Sequence, residues 1–196
     1  MFTREEMEGS IFEGDCLEVM RDFPDSSVDM VLCDLPYGST RSKWDSVIDL
    51  DKLWDEYRRI VKPDGAIVLT SSELFTCQLG MSAPDLFKYK WVWVKSNATN
   101  FLNAKKQPLR KHEDVCVFYR SPPVYHPQMT EGKPYSKKDG HTPIPSCYGT
   151  FRREGKEYGA VRYPSDILTF NSAKHDEWGG EEHITLIRNL YPSADI

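Results

Sequence analysis

Hydrophobic and polar positions along the chain follow two different periods. Mostly apolar runs at 28–33 and 66–70 have the length and composition of buried strands. Between them, residues 48–61 repeat their apolar positions at helical spacing, with a stripe formed by Leu50, Leu53, Trp54, Tyr57 and Val61. Strands that are buried on both faces and alternate with amphipathic helices predict an α/β fold with a parallel sheet.

The same periodicity predicts eight elements over the first 120 residues. In chain order they are a strand at 9–15, a helix at 16–23, a strand at 27–34, a helix at 48–61 that Pro63-Asp64-Gly65 ends, a strand at 66–72, a helix at 73–83, and strands at 88–97 and 113–120. Most of these strands end in polar residues. If they run parallel, their polar ends meet at one sheet edge, where ligands of open α/β sheets bind.

The pattern changes beyond residue 119. Residues 121–163 are rich in proline, glycine and charge, but they also hold many tyrosines. This composition predicts a loop-rich insertion that is too aromatic to be disordered. We therefore predict three parts: an α/β region at 1–120, a loop-rich recognition region at 121–163 and a divergent tail at 164–196.

Composition narrows the class of protein. Hydrophobic residues make up 39% of the chain and charged residues 28%, which is typical of a globular protein. No apolar run approaches the roughly 20 residues that cross a bilayer, so we expect no membrane association. Five cysteines without a CxxC pair argue against a disulfide framework and a structural zinc site. We expect buried thiols at Cys16, Cys33, Cys77 and Cys116, no metal, and a cytoplasmic location.

Charge is distributed unevenly along the chain. Residues 86–163 contain 15 Lys and Arg against 6 Asp and Glu, a net charge of +9, whereas the remaining residues carry −14. A basic segment inside an acidic protein is typical of a nucleic-acid surface built into one part of a fold. A solvated lysine-rich face is the alternative that charge alone leaves open.

The strand at 27–34 ends in Asp34-Leu35-Pro36-Tyr37-Gly38, a stretch with the means to hold a planar group. The aromatic ring can stack on such a group, while a carboxylate and nearby backbone carbonyls accept hydrogen bonds from its edge. The alternative is an ordinary turn in which the aspartate caps and the proline breaks the strand.

This stretch resembles the Asp-Pro-Pro-Tyr motif of DNA methyltransferases that modify exocyclic amines, adenine N6 or cytosine N4, in the permuted beta-type arrangement. Its surroundings resemble the same family in the same order: "IFEGDCLEVM", "LWDEYRRIVKPDGAIVLTSS" and "WVWVKSNATNFLNAKKQPLRKHEDVCVFYR". The resemblance covers about residues 9–170 and implies a Rossmann-like methyltransferase sheet. Leu35 occupies the position at which proline is commonest in the family's motif. The resemblance implies that this position contributes its backbone rather than its side chain to the reaction.

The resemblance also implies roles for individual residues. Asp34, Leu35, Pro36 and Tyr37 would be catalytic, and Asp15, Asp34 and Ser71 would bind S-adenosylmethionine, although Asp15 also suits a helix N-cap. DNA contacts are expected from the basic middle and its insertion, at Lys95, Asn97, Lys105, Lys106, Arg110, Lys111, His112, Arg152 and Arg153. The absence of a Pro-Cys dipeptide disfavours methylation at carbon 5 of cytosine.

The sequence departs from the family near its C-terminus. A segment resembling "HPTQKP" and a strand with a Phe-x-Gly-x-Gly loop should follow the recognition region, yet residues 171–196 show neither. We therefore expect a C-terminally truncated member with an incomplete sheet. Two hypotheses stay open: an enzyme, active alone or with a second copy or a complementing chain, and a non-enzymatic DNA-binding remnant. Methylation of RNA or of a protein amide is the alternative within the enzyme class.

Overall fold

A computed structural model describes residues 1–40, 42–43, 45–137, 144–146, 149–151 and 156–170. The chain divides into two compact units, one of residues 1–126 with 166–196 and one of residues 127–165. The predicted limits at 120 and 163 remain predictions, and so does the truncation, because residues 171–196 lie outside the described part of the chain.

The helices and strands of the described residues are listed here in chain order. The helices are α1 (Arg4–Met7), α2 (Cys16–Met20), α3 (Leu50–Ile60) and α4 (Glu73–Ser82), with a short 3-10 turn at Phe101–Asn103. The strands are β1 (Val28–Asp34), β2 (Val61–Ser71), β3 (Phe87–Thr99), β4 (Arg110–Phe118), β5 (Thr130–Glu131), β6 (Tyr135–Lys137), β7 (Ile144–Ser146), β8 (Gly149–Phe151), β9 (Lys156–Tyr158), β10 (Val161–Arg162) and β11 (Ile167–Phe170).

Within the described residues, the first unit contains a five-stranded sheet in the order β1-β2-β4-β3-β11. β1 pairs parallel with β2, and β11 pairs parallel with β3, whereas β4 is antiparallel to both of its neighbours. Four strands therefore point in one direction and β4 points the other way. The predicted α/β sheet is confirmed, but the prediction that the carboxyl end of 113–120 joins the other polar strand ends is wrong. Hydrophobic periodicity carries no information about strand direction.

Helix α3 supplies much of the core on one face of the sheet. Its residues Leu53, Trp54 and Tyr57 are buried, and the Trp54 ring lies 4.8 Å from that of Phe118 on β4. Asp49 caps the helix by accepting a hydrogen bond from the Lys52 N–H at 3.3 Å. The helix ends at Ile60 and β2 begins at once, so the predicted stop at 63–65 lies inside the strand.

The predicted strand at 9–15 is wrong within the described residues. This segment is irregular, and Ile11 is 97% exposed. Gly9 and Gly14 adopt φ values of +70° and +151°, which interrupt the extended path that a strand needs. Phe12 between them packs against the ring of Phe2, with centroids 4.7 Å apart, rather than against the sheet.

Two predictions of burial are also wrong. β1 is half-buried rather than buried on both faces, and Leu32 on it is 39% exposed. Cys16 and Cys77 are exposed, whereas Cys33 is partly buried and Cys116 is buried as predicted. Cys16 is the first residue of a five-residue helix and Cys77 lies on the outer face of α4, positions that an apolar run in the sequence cannot reveal.

The described residues of the second unit form three short antiparallel ladders, which pair β5 with β10, β6 with β9 and β7 with β8. Aromatic contacts support the second of these ladders. The rings of Tyr135 and Tyr158 stack with centroids 4.6 Å apart, and the Arg162 guanidinium lies 4.5 Å from the Tyr135 ring. Across the described ranges, no helix combines the length and apolar character needed to cross a bilayer.

Candidate active site

The parallel pairing of β1 with β2 aligns two polar side chains at one edge of the sheet. Asp34, the last residue of β1, pairs in register with Thr70 near the end of β2. Because β4 runs in the opposite direction, its first residues reach the same edge, where His112 pairs with Val94 of β3. The edge thus gathers residues from four parts of the sequence.

A cavity of about 290 Å³ opens at this edge, at the lower end of the size range of small-molecule sites. It is lined by the end of β1 and the loop after it, by the end of β2, and by facing ends of β3 and β4. The lining residues are Asp34, Leu35, Pro36, Tyr37, Ser39, Thr40, Asp45, Ser72, Lys95, Thr99, Arg110, His112 and Glu113.

The Asp34 carboxylate is held through one of its two oxygens. Oδ1 accepts hydrogen bonds from the Thr70 hydroxyl and from the Tyr37 hydroxyl, the latter at 2.9 Å. The Tyr37 hydroxyl also lies 2.8 Å from the Thr70 Oγ1. Among the described residues no donor reaches Oδ2, so one carboxylate oxygen is positioned and the other is available as an acceptor.

The Tyr37 ring is backed by Phe75 of α4. The two rings stack at 26° with centroids 5.4 Å apart, and Phe75 is buried. Burial raises the pKa of Tyr37 well above its usual value, and the nearby Asp34 charge acts in the same direction. The phenol therefore stays neutral at physiological pH and keeps its proton for hydrogen bonding.

This raised pKa predicts a loss of stability in alkaline solution. A tyrosine whose pKa is higher in the folded state favours folding below its unfolded pKa of about 10, and that contribution falls as pH rises further. Between about pH 10 and 11, the free energy of unfolding of Tyr37→Phe should decline less steeply than that of the wild type, by up to about 1.4 kcal/mol per pH unit. Urea unfolding at fixed pH measures this, and equal slopes would contradict the burial argument.

The loop after β1 is fixed by Asp45. Its carboxylate accepts hydrogen bonds from the backbone N–H groups of Gly38 at 2.8 Å and Thr40 at 2.6 Å. Hydrogen bonds from the Thr40 side chain and from these N–H groups lower the pKa of Asp45. Gly38 adopts φ of +66°, and a side chain there would meet the Val47 Cγ2 at 2.9 Å. These constraints hold Ser39 and Thr40 at the cavity.

The opposite wall of the cavity carries two ion pairs. Lys95 forms an ion pair with Glu113 and lies 4.9 Å from the Trp93 ring centroid. Arg110 lies 3.3 Å from the Glu73 carboxylate through Nη1, while its buried Nε has no hydrogen-bond partner among the described residues. Arg110 therefore lines the cavity with one of its donors left unpaired.

Ser71 is turned away from the cavity. Its buried hydroxyl lies 3.0 Å from the Thr76 Oγ1 and 3.4 Å from the Cys116 Sγ. Thr76 in turn donates to the Asp114 carboxylate at 2.9 Å, which also accepts a hydrogen bond from the Lys90 ammonium at 2.8 Å. The cavity is lined instead by the next residue, Ser72.

The structure brings seven of the predicted site residues to the cavity and leaves the others elsewhere. Those at the cavity are Asp34, Leu35, Pro36, Tyr37, Lys95, Arg110 and His112; those away from it are Asp15, Ser71, Asn97, Lys105, Lys106 and Lys111. Arg152 and Arg153 lie outside the described residues. Asp15 caps α2 by accepting from the Leu17 N–H at 2.8 Å, which confirms its N-cap interpretation.

Sequence reasoning missed three residues that shape the site, Thr70, Asp45 and Glu113. Thr70 could have been found by aligning the ends of the two apolar runs as parallel neighbours. Asp45 lies seven residues after Gly38, and no general sequence pattern predicts a hydrogen bond at this spacing. Glu113 has a signal in the family resemblance, whose His-Glu stretch includes it, but its ion pair with Lys95 depends on the register of β3 and β4.

Comparisons with known proteins agree with the predicted resemblance. No family model matches the chain. It is 23% identical over 212 aligned positions to the type II methyltransferase M.BglII of Bacillus subtilis, covering 95% of this chain and 54% of that protein. The structure of the cytosine-N4-specific PvuII DNA methyltransferase aligns with a TM-score of 0.56 at 13% identity, over 86% of this chain and 59% of that one.

The M1.HpyAVI–SAM complex aligns with a TM-score of 0.46 at 19% identity, over 60% of this chain and 58% of that one. The chain spans about half the length of the curated relative that it matches. Its sequence is similar to that of M.BglII, and its α/β sheet has the fold of the PvuII DNA methyltransferase, as the resemblance predicted.

Proposed function

We propose that this chain forms the target-base pocket of a DNA methyltransferase that modifies an exocyclic amine, adenine N6 or cytosine N4, with S-adenosylmethionine as methyl donor. One observation carries the proposal. The Asp34 carboxylate lies at a cavity with Oδ1 held by Thr70 and Tyr37, and its Oδ2 has no donor among the described residues. The similarity to M.BglII over 95% of the chain supports the same conclusion.

An exocyclic amine needs help to act as a nucleophile because its lone pair is delocalised into the base. Asp34 Oδ2 and a backbone carbonyl at Leu35 or Pro36 would each accept one of its two hydrogens. Asp34, Leu35 and Pro36 all line the cavity and follow one another in the chain. Two acceptors fixed in this way hold the nitrogen and favour its pyramidal, nucleophilic form.

Tyr37 would stack on the target base after the base has left the duplex. One face of its ring is covered by Phe75, which fixes the ring and leaves the other face for the base. The raised pKa of Tyr37 keeps the hydroxyl protonated, so it donates to Asp34 or Thr70 instead of placing a second negative charge there.

Cationic side chains at and near the cavity would contact the phosphates on either side of the displaced nucleotide. Arg110 and His112 lie at the cavity with Lys95, whereas Lys105 and Lys111 are exposed nearby in sequence. Together these positive charges would attract the DNA backbone. The strength of that attraction depends on the salt concentration rather than on the base sequence. The DNA-binding roles of these residues remain predictions, as do those of Asn97, Lys106, Arg152 and Arg153.

The residues predicted to hold the cofactor fit it in part. S-adenosylmethionine would supply a methyl group that is attached to a positively charged sulfur. A nearby carboxylate such as that of Asp34 would favour binding of this positive charge. Asp15 is exposed and uses its Oδ1 as a helix cap, and among the described residues no donor reaches its second oxygen, which would accept from a hydroxyl group. Ser71 does not fit, because its hydroxyl is buried against Thr76 and Cys116.

Thr70 is a positioning residue in this scheme. Thr70→Val removes the hydroxyl with little change of shape, and we expect kcat to fall roughly tenfold or more because a hydrogen bond to a charged group is lost. Thr70→Ser keeps the hydroxyl and should restore most of the rate. Steady-state methyl transfer measures both, with KM for DNA unchanged. A Val variant with the rate of the Ser variant would contradict the role.

Labelled-methyl transfer to DNA, measured beside DNA binding at two salt concentrations, tests the proposal. Incorporation of label together with salt-dependent binding supports the enzyme. Salt-dependent binding without incorporation would support the DNA-binding remnant instead, for which the basic segment 86–163 is the favouring observation. Loss of both would overturn both functions.

We place the activity in the cytoplasm. The partner chain, a second copy or a complementing chain, remains a prediction.

A further inference from the structure

The connection between β3 and β4 exposes two large apolar side chains. Phe101 is 75% exposed and Leu102 is 85% exposed, side by side in the 3-10 turn at its start. The connection leaves β3 at Thr99 and enters β4 at Arg110, and both of these residues line the cavity. An apolar tip therefore projects from the rim of the candidate site.

This tip has a defined structure. Asn100 adopts a left-handed conformation with φ of +68°, and its side-chain oxygen accepts from the Asn103 amide at 2.7 Å. Backbone hydrogen bonds join Asn103 to Asn100 at 3.1 Å and Ala104 to Phe101 at 3.1 Å. The segment is thus ordered with Phe101 and Leu102 held outward, which lowers the entropic cost of inserting them into a partner.

The surroundings of the tip are cationic. Lys105 and Lys106 follow within the same turn and Lys111 lies at the start of β4; all three are exposed. Neither Lys105 nor Lys106 forms an ion pair within the described part of the chain. A nucleic-acid duplex has anionic phosphates on its surface and stacked, apolar bases inside. An apolar pair flanked by lysines without ion pairs is complementary to such a duplex.

We infer that Phe101 and Leu102 form a wedge that inserts into the base stack of duplex DNA beside the nucleotide whose base enters the cavity. The inference rests on the proposed function and adds a means of filling the gap that a displaced base leaves. Phenylalanine and leucine are among the side chains that proteins insert between base steps. The lysines would hold the backbone phosphates next to the gap.

Binding to a duplex with a pre-formed gap tests the wedge without any cofactor. The probes are a fluorescent duplex carrying one abasic site and the same duplex fully paired. The wild-type chain should bind the abasic duplex about tenfold more tightly, because no base must be unstacked there. Phe101→Ser combined with Leu102→Ser should bind both duplexes equally. Lys105→Gln combined with Lys106→Gln should weaken both and reduce the salt slope by about 1.8.

A matched control removes two exposed apolar residues elsewhere. Leu74 and Met81 on α4 are 70% and 76% exposed and do not line the cavity, so Leu74→Ser combined with Met81→Ser should keep the preference. An unchanged preference in the Phe101 and Leu102 variant would overturn the wedge and leave the proposed function standing. Failure of the wild type to bind either duplex would overturn both.

Discussion

Asp34→Asn is expected to lower the rate of methyl transfer to DNA by at least about a hundredfold, because it weakens the positioned acceptor at the reacting nitrogen. The substitution keeps the size of the side chain, and the DNA-binding lysines are untouched. DNA affinity should therefore stay within about twofold of the wild type, since phosphate contacts supply most of it. Labelled-methyl incorporation gives the rate, and fluorescence anisotropy gives the affinity.

Asp29→Asn is the matched control for this prediction. Asp29 lies on the same strand, is exposed, and pairs with Lys62 and with Arg4, the latter at 3.4 Å, away from the cavity. Its loss should change the rate little, because surface ion pairs contribute at most about 1 kcal/mol to stability. Equal rates for Asp34→Asn and the wild type would contradict the assignment of Asp34.

Tyr37→Ala is expected to lower kcat/KM for DNA by roughly ten- to a hundredfold, since stacking of a base on an aromatic ring is worth about 1–3 kcal/mol. Tyr37→Phe is the matched control. It keeps the ring and its contact with Phe75, and it leaves the hydrogen bond from Thr70 to Asp34 in place. Its kcat/KM should fall less than that of Tyr37→Ala, because Phe loses only the hydrogen bond from the hydroxyl to Asp34 or Thr70 and keeps the stacking face.

Thermal unfolding distinguishes a lost stack from a disturbed fold, because Tyr37 is partly buried against Phe75. Activity is to be compared at a temperature where both variants are folded. If Tyr37→Phe lost as much activity as Tyr37→Ala, the hydroxyl rather than the stacking face would be the important group, and the proposed base contact would be wrong.

Much of the sheet could be predicted because its signals are local. The apolar runs that became β1 and β2 and the stripe that became α3 are each set by spacing within one segment. Their alternation then implies that Asp34 and Ser71 share one edge of the sheet. The pairing of Asp34 with Thr70 confirms this, since both lie at the carboxyl ends of parallel neighbours.

The rest depends on contacts between distant segments. The reversed direction of β4 brings Arg110 and His112 to the cavity, and nothing in its apolar pattern encodes that direction. Likewise the composition of residues 9–15 suits a strand, yet two glycines and a cluster of phenylalanine rings decide against it. Local preference is overridden by tertiary packing in such cases.

The orientation of individual side chains was also beyond the sequence. Ser71 and Ser72 are adjacent at the end of β2, and only packing decides that the first faces Thr76 and Cys116 while the second lines the cavity. In a strand such neighbours point to opposite faces, so an error of one residue reverses an assignment. The family resemblance indicated which edge of the sheet holds the site, and the structure shows which residues line the cavity at that edge.

The identity of the methylated nucleoside is the most direct test of the central claim, that Asp34 and the carbonyls after it hold an exocyclic amine. DNA lacking prior methylation is incubated with the 196-residue chain and methyl-labelled S-adenosylmethionine, then digested to nucleosides and separated by chromatography with mass detection. The label should appear in N6-methyladenine or N4-methylcytosine, and not with Asp34→Asn. Label in 5-methylcytosine, or DNA that is bound but remains unlabelled, would contradict the account.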